Sequence, residues 1–523
     1  MGKRLFIIIA ITATILVSCS KKPLRWDVDI AAPIVKTELT LANLLPDSLL
    51  AADEDHAVSI VLDKELFSAS VESIATFPDS LFEFALDIPQ HSSLAPGILF
   101  FYKDELQKLD IAPVSLNYVK IYSGSLTFNV INPFDKPIEI NYRIPAATKN
   151  GVSFNEIITI PPGNSSGTAY TKNVSMAGYF IDLRGTDQNS SNRFMTRMSA
   201  RISASSADSA RSIHEKLFIN IKFQNVALDY LKGYFGELSS SYGGDTIKTN
   251  IFESITAGEL QTEKCEAQIE ISNGFGADAR LLLQKIKALN SRTGKEVSLQ
   301  SNLIGRPVNI TRAAETAVGQ GAIPYTAKLD LSASNLNELL TIFPDKFEYA
   351  ASLTLNPLGN ISCGNDFAYR ANPFSAKLHF KLPLKFSAKG LTLQKTIKYN
   401  LSGGPENINT ATLYLIANNS FPLSMAINLE VLDSYGKTIL TIPQSGQTLQ
   451  AGILAADGTT TPRQTIIKFE LDKDNTDILK NSSNLKITAT FDTPENQKVT
   501  IFEAQKLDLK LTADFNYEVS IQK

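Results

Sequence analysis

Cysteine, histidine, methionine and tryptophan are all scarce, with three Cys, four His, five Met and one Trp in 523 residues. Each shortage removes a class of function. His56, His91, His214 and His379 stand in four separate segments, none with a second His or Cys at ligand spacing, which excludes the common zinc motifs. No Gly-x-Ser-x-Gly elbow is present to supply a nucleophile. An excess of basic charge is missing too. Fifty Lys and Arg against 53 Asp and Glu leave a net charge of −3, so nucleic acid is excluded as a partner. No catalytic, metal or cofactor-binding set emerges, and the chain reads as non-enzymatic.

What is present begins at the N-terminus. Lys3 and Arg4 precede an apolar run from Leu5 to Leu16, which has the pattern of a secretory signal and is short for a membrane span. The run closes on Leu16-Val17-Ser18-Cys19, which resembles a bacterial lipobox. That resemblance implies removal of residues 1–18, acylation of Cys19 and a lipid-anchored place in the outer membrane, with two or three acyl chains holding firmly. Alternation typical of a strand begins at Trp26, so the tether is short.

Three alternating runs end in Asn-x-Phe, at Asn132-Pro133-Phe134, Asn273-Gly274-Phe275 and Asn419-Ser420-Phe421. Spacings of 141 and 146 residues between the asparagines are the length of a domain. The expected organisation is a tether and mixed N-terminal region over 19–115, then modules over 116–260, 261–400 and 401–523. A turn follows each Asn, at Gly151, Gly294 and Gly436, and Pro161-Pro162-Gly163 of the first copy pairs with Pro443 to Gly446 of the third. Short helical turns are expected at 335–340 and 475–479, with 103–109 and 40–45 as helix candidates nearer the start. Repeated strands with little helix predict an all-β chain of tandem antiparallel β-sandwiches. Asn suits the turn, where it bonds its own backbone two residues on, and Phe fills the core.

The stretch Leu126-x-Phe128-x-Val130-x-Asn132-Pro133-Phe134, continuing through Pro137, Ile138 and Ile140, resembles the opening of late-embryogenesis-abundant type 2 (WHy) domains. The resemblance covers residues 119–203 and implies an immunoglobulin-like sandwich without catalytic residues.

Three further features bear on chemistry. Gly274-x-Gly276-x-x-Ala279 fits a dinucleotide fingerprint, but the strand before it alternates where a Rossmann strand would be wholly apolar. Asp472, Asp474 and Asp477 open like a calcium loop yet lack its Gly and Glu, so a helix cap accounts for them. Cys265 and Cys363 share one module in an oxidising compartment, leaving open either a disulfide or two free thiols.

From Leu507 to Ile521 alternation is strict over fifteen residues, about 50 Å of strand. Two functions follow as expectations. The first is an anchored envelope protein with a structural or binding role, whose partners are the membrane through Cys19 and an envelope protein or a glycan. The second is a carrier of lipid or another apolar ligand, with a groove walled by Phe515, Tyr517 and Val519.

Overall fold

The computed structural model describes residues 24–40, 49–249, 251–252, 255–399, 408–443, 446–455, 460–494 and 497–521. Cys19 lies outside them. Of the described residues 62% are strand and 4% helix. Every ladder between its named strands is antiparallel, as the alternating sequence predicts.

Three sandwiches result. In sandwich I one sheet folds over on itself. One layer holds Leu81–Asp87, Lys216–Tyr234, Ser115–Ile131 and Tyr170–Ser175; the other holds Val152–Ile160, Ile138–Lys149, Arg193–Ile202 and Leu99–Lys108. Rings from the two layers meet edge to face, Phe128 on Tyr142 at 5.5 Å and Phe194 on Phe223 at 6.1 Å.

Sandwich II sets Val58–Ala69, Phe374–Pro383, Glu266–Asn273 and Tyr325–Asp330 against Leu238–Lys248, Lys346–Leu355 and Ala279–Asn290. Phe67 stacks on Tyr242 at 4.2 Å across that gap. Sandwich III sets Leu24–Thr40, Lys506–Ile521, Ile408–Asn419 and Arg463–Leu471 against Ile255–Thr262, Lys385–Lys398, Asn484–Asp492 and Ser424–Leu432.

The described strands of the N-terminal stretch do not form a body of their own. Leu24–Thr40 zips onto the C-terminal strand, Val58–Ala69 joins sandwich II, and Leu81–Asp87 with Leu99–Lys108 complete sandwich I. The chain therefore passes through all three sandwiches on its way in and threads back through them on its way out. Residues 103–108, with good helix formers in Lys103, Glu105, Leu106 and Gln107, are strand instead. Pairing with Arg193–Ile202, including the Arg197–Asp104 ion pair across the ladder, overrides their weak local preference. The short helices at Leu336–Thr341 and Lys473–Lys480 form as expected.

Boundaries between sandwiches are crossed by nearly unbroken strands. A single residue, Leu384, separates Phe374–Pro383 of sandwich II from Lys385–Lys398 of sandwich III. Lys216–Tyr234 of sandwich I gives way to Leu238–Lys248 of sandwich II after three residues. Asp366–Tyr369, which lies in sequence between two strands of sandwich II, pairs with residues 230–233 of sandwich I. Above that contact Lys232 and Glu315 form an ion pair with both side chains 12% exposed, and Tyr230 and Tyr369 donate to the same carboxylate at 2.6 and 3.0 Å. Burial alone would raise the Glu315 pKa; Lys232 and the two phenols more than offset it and hold the carboxyl below its usual range.

Sandwiches I and II share one continuous apolar core, running from Val71 and Phe128 to Phe275 and Phe374, whereas sandwich III has its own. Phe134 and Phe275 lie in the shared core and Phe421 in the separate one. Truncating any of the three to Ala is expected to cost about 3–5 kcal/mol. Hydrogen exchange on Phe421→Ala is expected to show loss of protection centred on sandwich III and reaching no further than its boundary with II. In Phe134→Ala or Phe275→Ala the loss should spread through both I and II.

Candidate functional site

Each Asn-x-Phe closes a clasp of four hydrogen bonds. Asn132 Oδ1 accepts from the Phe134 N–H at 3.0 Å, and its amide donates to the Lys136 carbonyl at 2.9 Å and the Pro161 carbonyl at 2.7 Å. The Phe134 carbonyl then accepts from the Gly163 N–H at 2.8 Å. Asn273 makes the same bonds with Phe275, Ala277 and Thr311 at 2.9, 3.1 and 2.9 Å. Asn419 makes them with Phe421, Leu423 and Gln450 at 2.9, 2.8 and 2.9 Å.

The fourth bond recurs as Ala313 N–H to Phe275 O at 2.8 Å and Gly452 N–H to Phe421 O at 2.9 Å. Asparagine is required because this buried position needs an acceptor and two donors on one short side chain. The bond to the residue two along is the one the sequence predicts. The distant carbonyl is not legible there, and the counterpart of Gly163 is Gly452 rather than Gly446.

These clasps are structural and offer no reactive group. The glycines of the apparent dinucleotide fingerprint serve close packing. A Cβ on Gly274 would sit 2.2 Å from the Asn372 carbonyl, and one on Gly276 would sit 2.2 Å from the Phe367 ring. Asp472 caps its helix by accepting from the Asn475 N–H at 2.9 Å.

Cys265 and Cys363 are both free, the first buried and the second exposed. The disulfide left open in the sequence is thus not formed. Cys265 precedes Glu266–Asn273, while Cys363 lies in the loop that leads to Phe367, packed at the strand's far end against Gly276. Eight residues of strand, about 26 Å, far exceed the roughly 4.4–6.8 Å between the Cα atoms of a disulfide. Burial pushes the Cys265 thiol up to about 11.

The fold brings two of the scattered histidines together. His91 and His214 share an open groove of about 660 Å³ at the free end of sandwich I, with Gln90, Ser166, Ser212 and Glu215. His214 Nε2 lies 2.6 Å from the Asn164 carbonyl, and Gln90 donates to Glu215. His379 instead meets Asp63 at 2.6 Å on sandwich II. Among the described residues no group of three or more His, Cys, Asp or Glu is placed to hold a metal ion.

A second concavity, of about 180 Å³, lies where sandwiches II and III meet. Seventeen of the eighteen described residues that line it are apolar, among them Phe252, Leu260, Leu382, Leu391, Phe421 and Leu507, and Thr262 is the exception among them. The apolar groove expected from sequence was placed on Phe515, Tyr517 and Val519. Phe515 is buried in the core of sandwich III. The side chains of Tyr517 and Val519 lie outside the described residues, although their backbones pair with Val28 and Trp26. The cavity takes Leu507 from the opposite end of the same strand, about 26 Å away along the backbone from Phe515.

No family model and no curated protein matches the chain. Among solved structures, a crystallised protein of Parabacteroides distasonis described as secreted is 14% identical and aligns over 52% of this chain and 82% of its own, with a TM-score of 0.28. The VP2 subviral particle of infectious bursal disease virus is 11% identical over 92% of this chain and 86% of its own, with a TM-score of 0.11. Neither score reaches that of a shared fold.

The two thiols differ enough to be told apart. A maleimide is expected to label the native protein at Cys363 within minutes and to reach Cys265 only on unfolding, because the thiolate is the reactive form. In a Cys19→Ala background, Cys363→Ser should remove the fast phase entirely; a fast phase that persists there would place Cys265 at the surface.

Proposed function

We propose that this chain is a lipid-anchored envelope protein that acts by holding a stiff stack of three sandwiches on the outer membrane and presenting its surfaces for binding, without catalysis. The observation that carries this reading is the ladder between the first and last strands. Leu24 pairs with Ile521 and Thr40 pairs with Lys506, so the strand that follows the lipobox is fastened along its whole length to sandwich III. Sandwich II joins at the Thr40 end, where the Val58 N–H donates to the Ile501 carbonyl at 2.9 Å.

Cys19 precedes Leu24 by five residues, a reach of roughly 17 Å. Acyl chains there would hold the free pole of sandwich III against the membrane and point sandwich I away from it. The groove bearing His91 and His214 then stands at the far tip, where an envelope protein or a glycan could meet it. Strands that run through the boundaries keep the tip at a fixed height, which suits a presenting scaffold better than a jointed one. The resemblance of residues 119–203 to late-embryogenesis-abundant type 2 domains agrees with a role without chemistry.

Labelling of cells with a clickable fatty acid tests the anchor. Wild-type protein is expected to take the label and sediment with outer membrane, and Cys19→Ala to lose both properties. Equal label on the two proteins would contradict the reading.

A further inference from the structure

We propose that the cavity between sandwiches II and III is a binding site for the end of a linear hydrocarbon chain. This inference is independent of the anchor at Cys19. Its walls come from both sandwiches, with Ile60 and Leu382 from sandwich II and Leu391, Phe421, Met425 and Leu507 from sandwich III. Among the described residues no charged side chain lines it, and the hydroxyl of the one polar residue among them, Thr262, lies 3.9 Å from the buried Cys265 Sγ. Water bound there would find too few partners, since an ordered water needs two to four. A charged or sugar-like ligand would lose its hydration without replacement. Hydrocarbon is what remains.

Size narrows the ligand further. An apolar cavity of about 150 Å³ accommodates benzene, so 180 Å³ takes a chain end of about six carbons. The site is partly open, so a longer molecule keeps its polar end in solvent while the tail enters. Phe421 ties the cavity to the fold. Its N–H and carbonyl are both held by the third clasp, and the residue is 6% exposed where Phe134 and Phe275 are fully buried. The wall it forms is therefore fixed in place before any ligand arrives. Preorganisation of this kind lowers the ordering cost of binding.

Linear primary alcohols from butanol to decanol, titrated calorimetrically into the protein, test the proposal. Affinity is expected to rise about fourfold for each added methylene up to about six carbons, then level off as further carbons stay outside. Leu391→Trp, which projects an indole into the cavity, is expected to abolish saturable binding. Leu393→Trp, at a half-buried lining position that tolerates bulk more easily, should weaken it at least tenfold, so the test survives if the first variant does not fold. The wild-type series alone decides the matter if neither folds. Absence of saturable binding, as when the chain's own side chains fill the space, would overturn the proposal. So would affinity that climbs without limit and ignores both substitutions, which is surface partitioning.

Discussion

A buried asparagine amide with all three of its bonds made is the contact on which the rest of this structure depends. Asn132, Asn273 and Asn419 are 3%, 0% and 1% exposed, and their bonds to the Phe N–H are buried in all three copies, so solvent cannot replace that partner. Each stands where a long strand ends and the chain turns toward the opposite sheet. Its amide reaches one carbonyl four residues ahead and another 29, 38 or 31 residues ahead, so the turn and the returning segment are fixed together. The aromatic ring two positions on is then delivered into the core in a single orientation. A strand exit held this way sets the register of everything that follows it, because a slip of one residue would turn the whole apolar face outward.

The second constraint is continuity between sandwiches. With one residue between the strands at Leu384, sandwiches II and III cannot swing apart as domains on a linker do. The apolar core common to I and II, the Asp366–Tyr369 strand laid on sandwich I and the Lys232–Glu315 pair act in the same direction at the other boundary. Asp366 itself is fully buried and accepts from the Phe235 N–H and the Asn356 amide, 3.1 and 2.7 Å away. A stack fastened this way transmits position from one pole to the other, which is the property an anchored presenting scaffold needs. The same welding leaves the apolar cavity at the II–III boundary, where strand ends from both bodies meet without filling the space.

Much of this was legible in the sequence where the cause is local. Strict alternation marked the strand from Leu507 to Ile521, and the Asn-x-Phe spacing marked the three places where the chain turns into the core. What escaped is nonlocal. Trp26 to Ile30 alternates like a strand, but nothing near it reveals a partner almost 500 residues away at the other end of the chain. The far carbonyl of each clasp is invisible for the same reason, since a backbone oxygen leaves no trace in residue type; hence the false pairing of Gly446 with Gly163. Lys103 to Lys108 misled because helix propensity is a few tenths of a kcal/mol per residue, less than a full ladder of hydrogen bonds contributes. Neither the cavity nor the meeting of His91 with His214 could be read, because both arise only when separate segments are brought together.

The central claim is that the asparagine clasp holds each sandwich, and equilibrium unfolding of Asn273 variants measures it most directly. Asn273→Ala strips partners from the buried Ala277 carbonyl, the buried Phe275 N–H and the part-buried Thr311 carbonyl, and Asn273→Asp keeps the acceptor but loses both donors. Each unsatisfied buried group costs about 1–3 kcal/mol, so both variants are predicted to lose at least about 2 kcal/mol of stability. A loss below about 1 kcal/mol in either would contradict the account and reduce the shared bonds to a by-product of the turn.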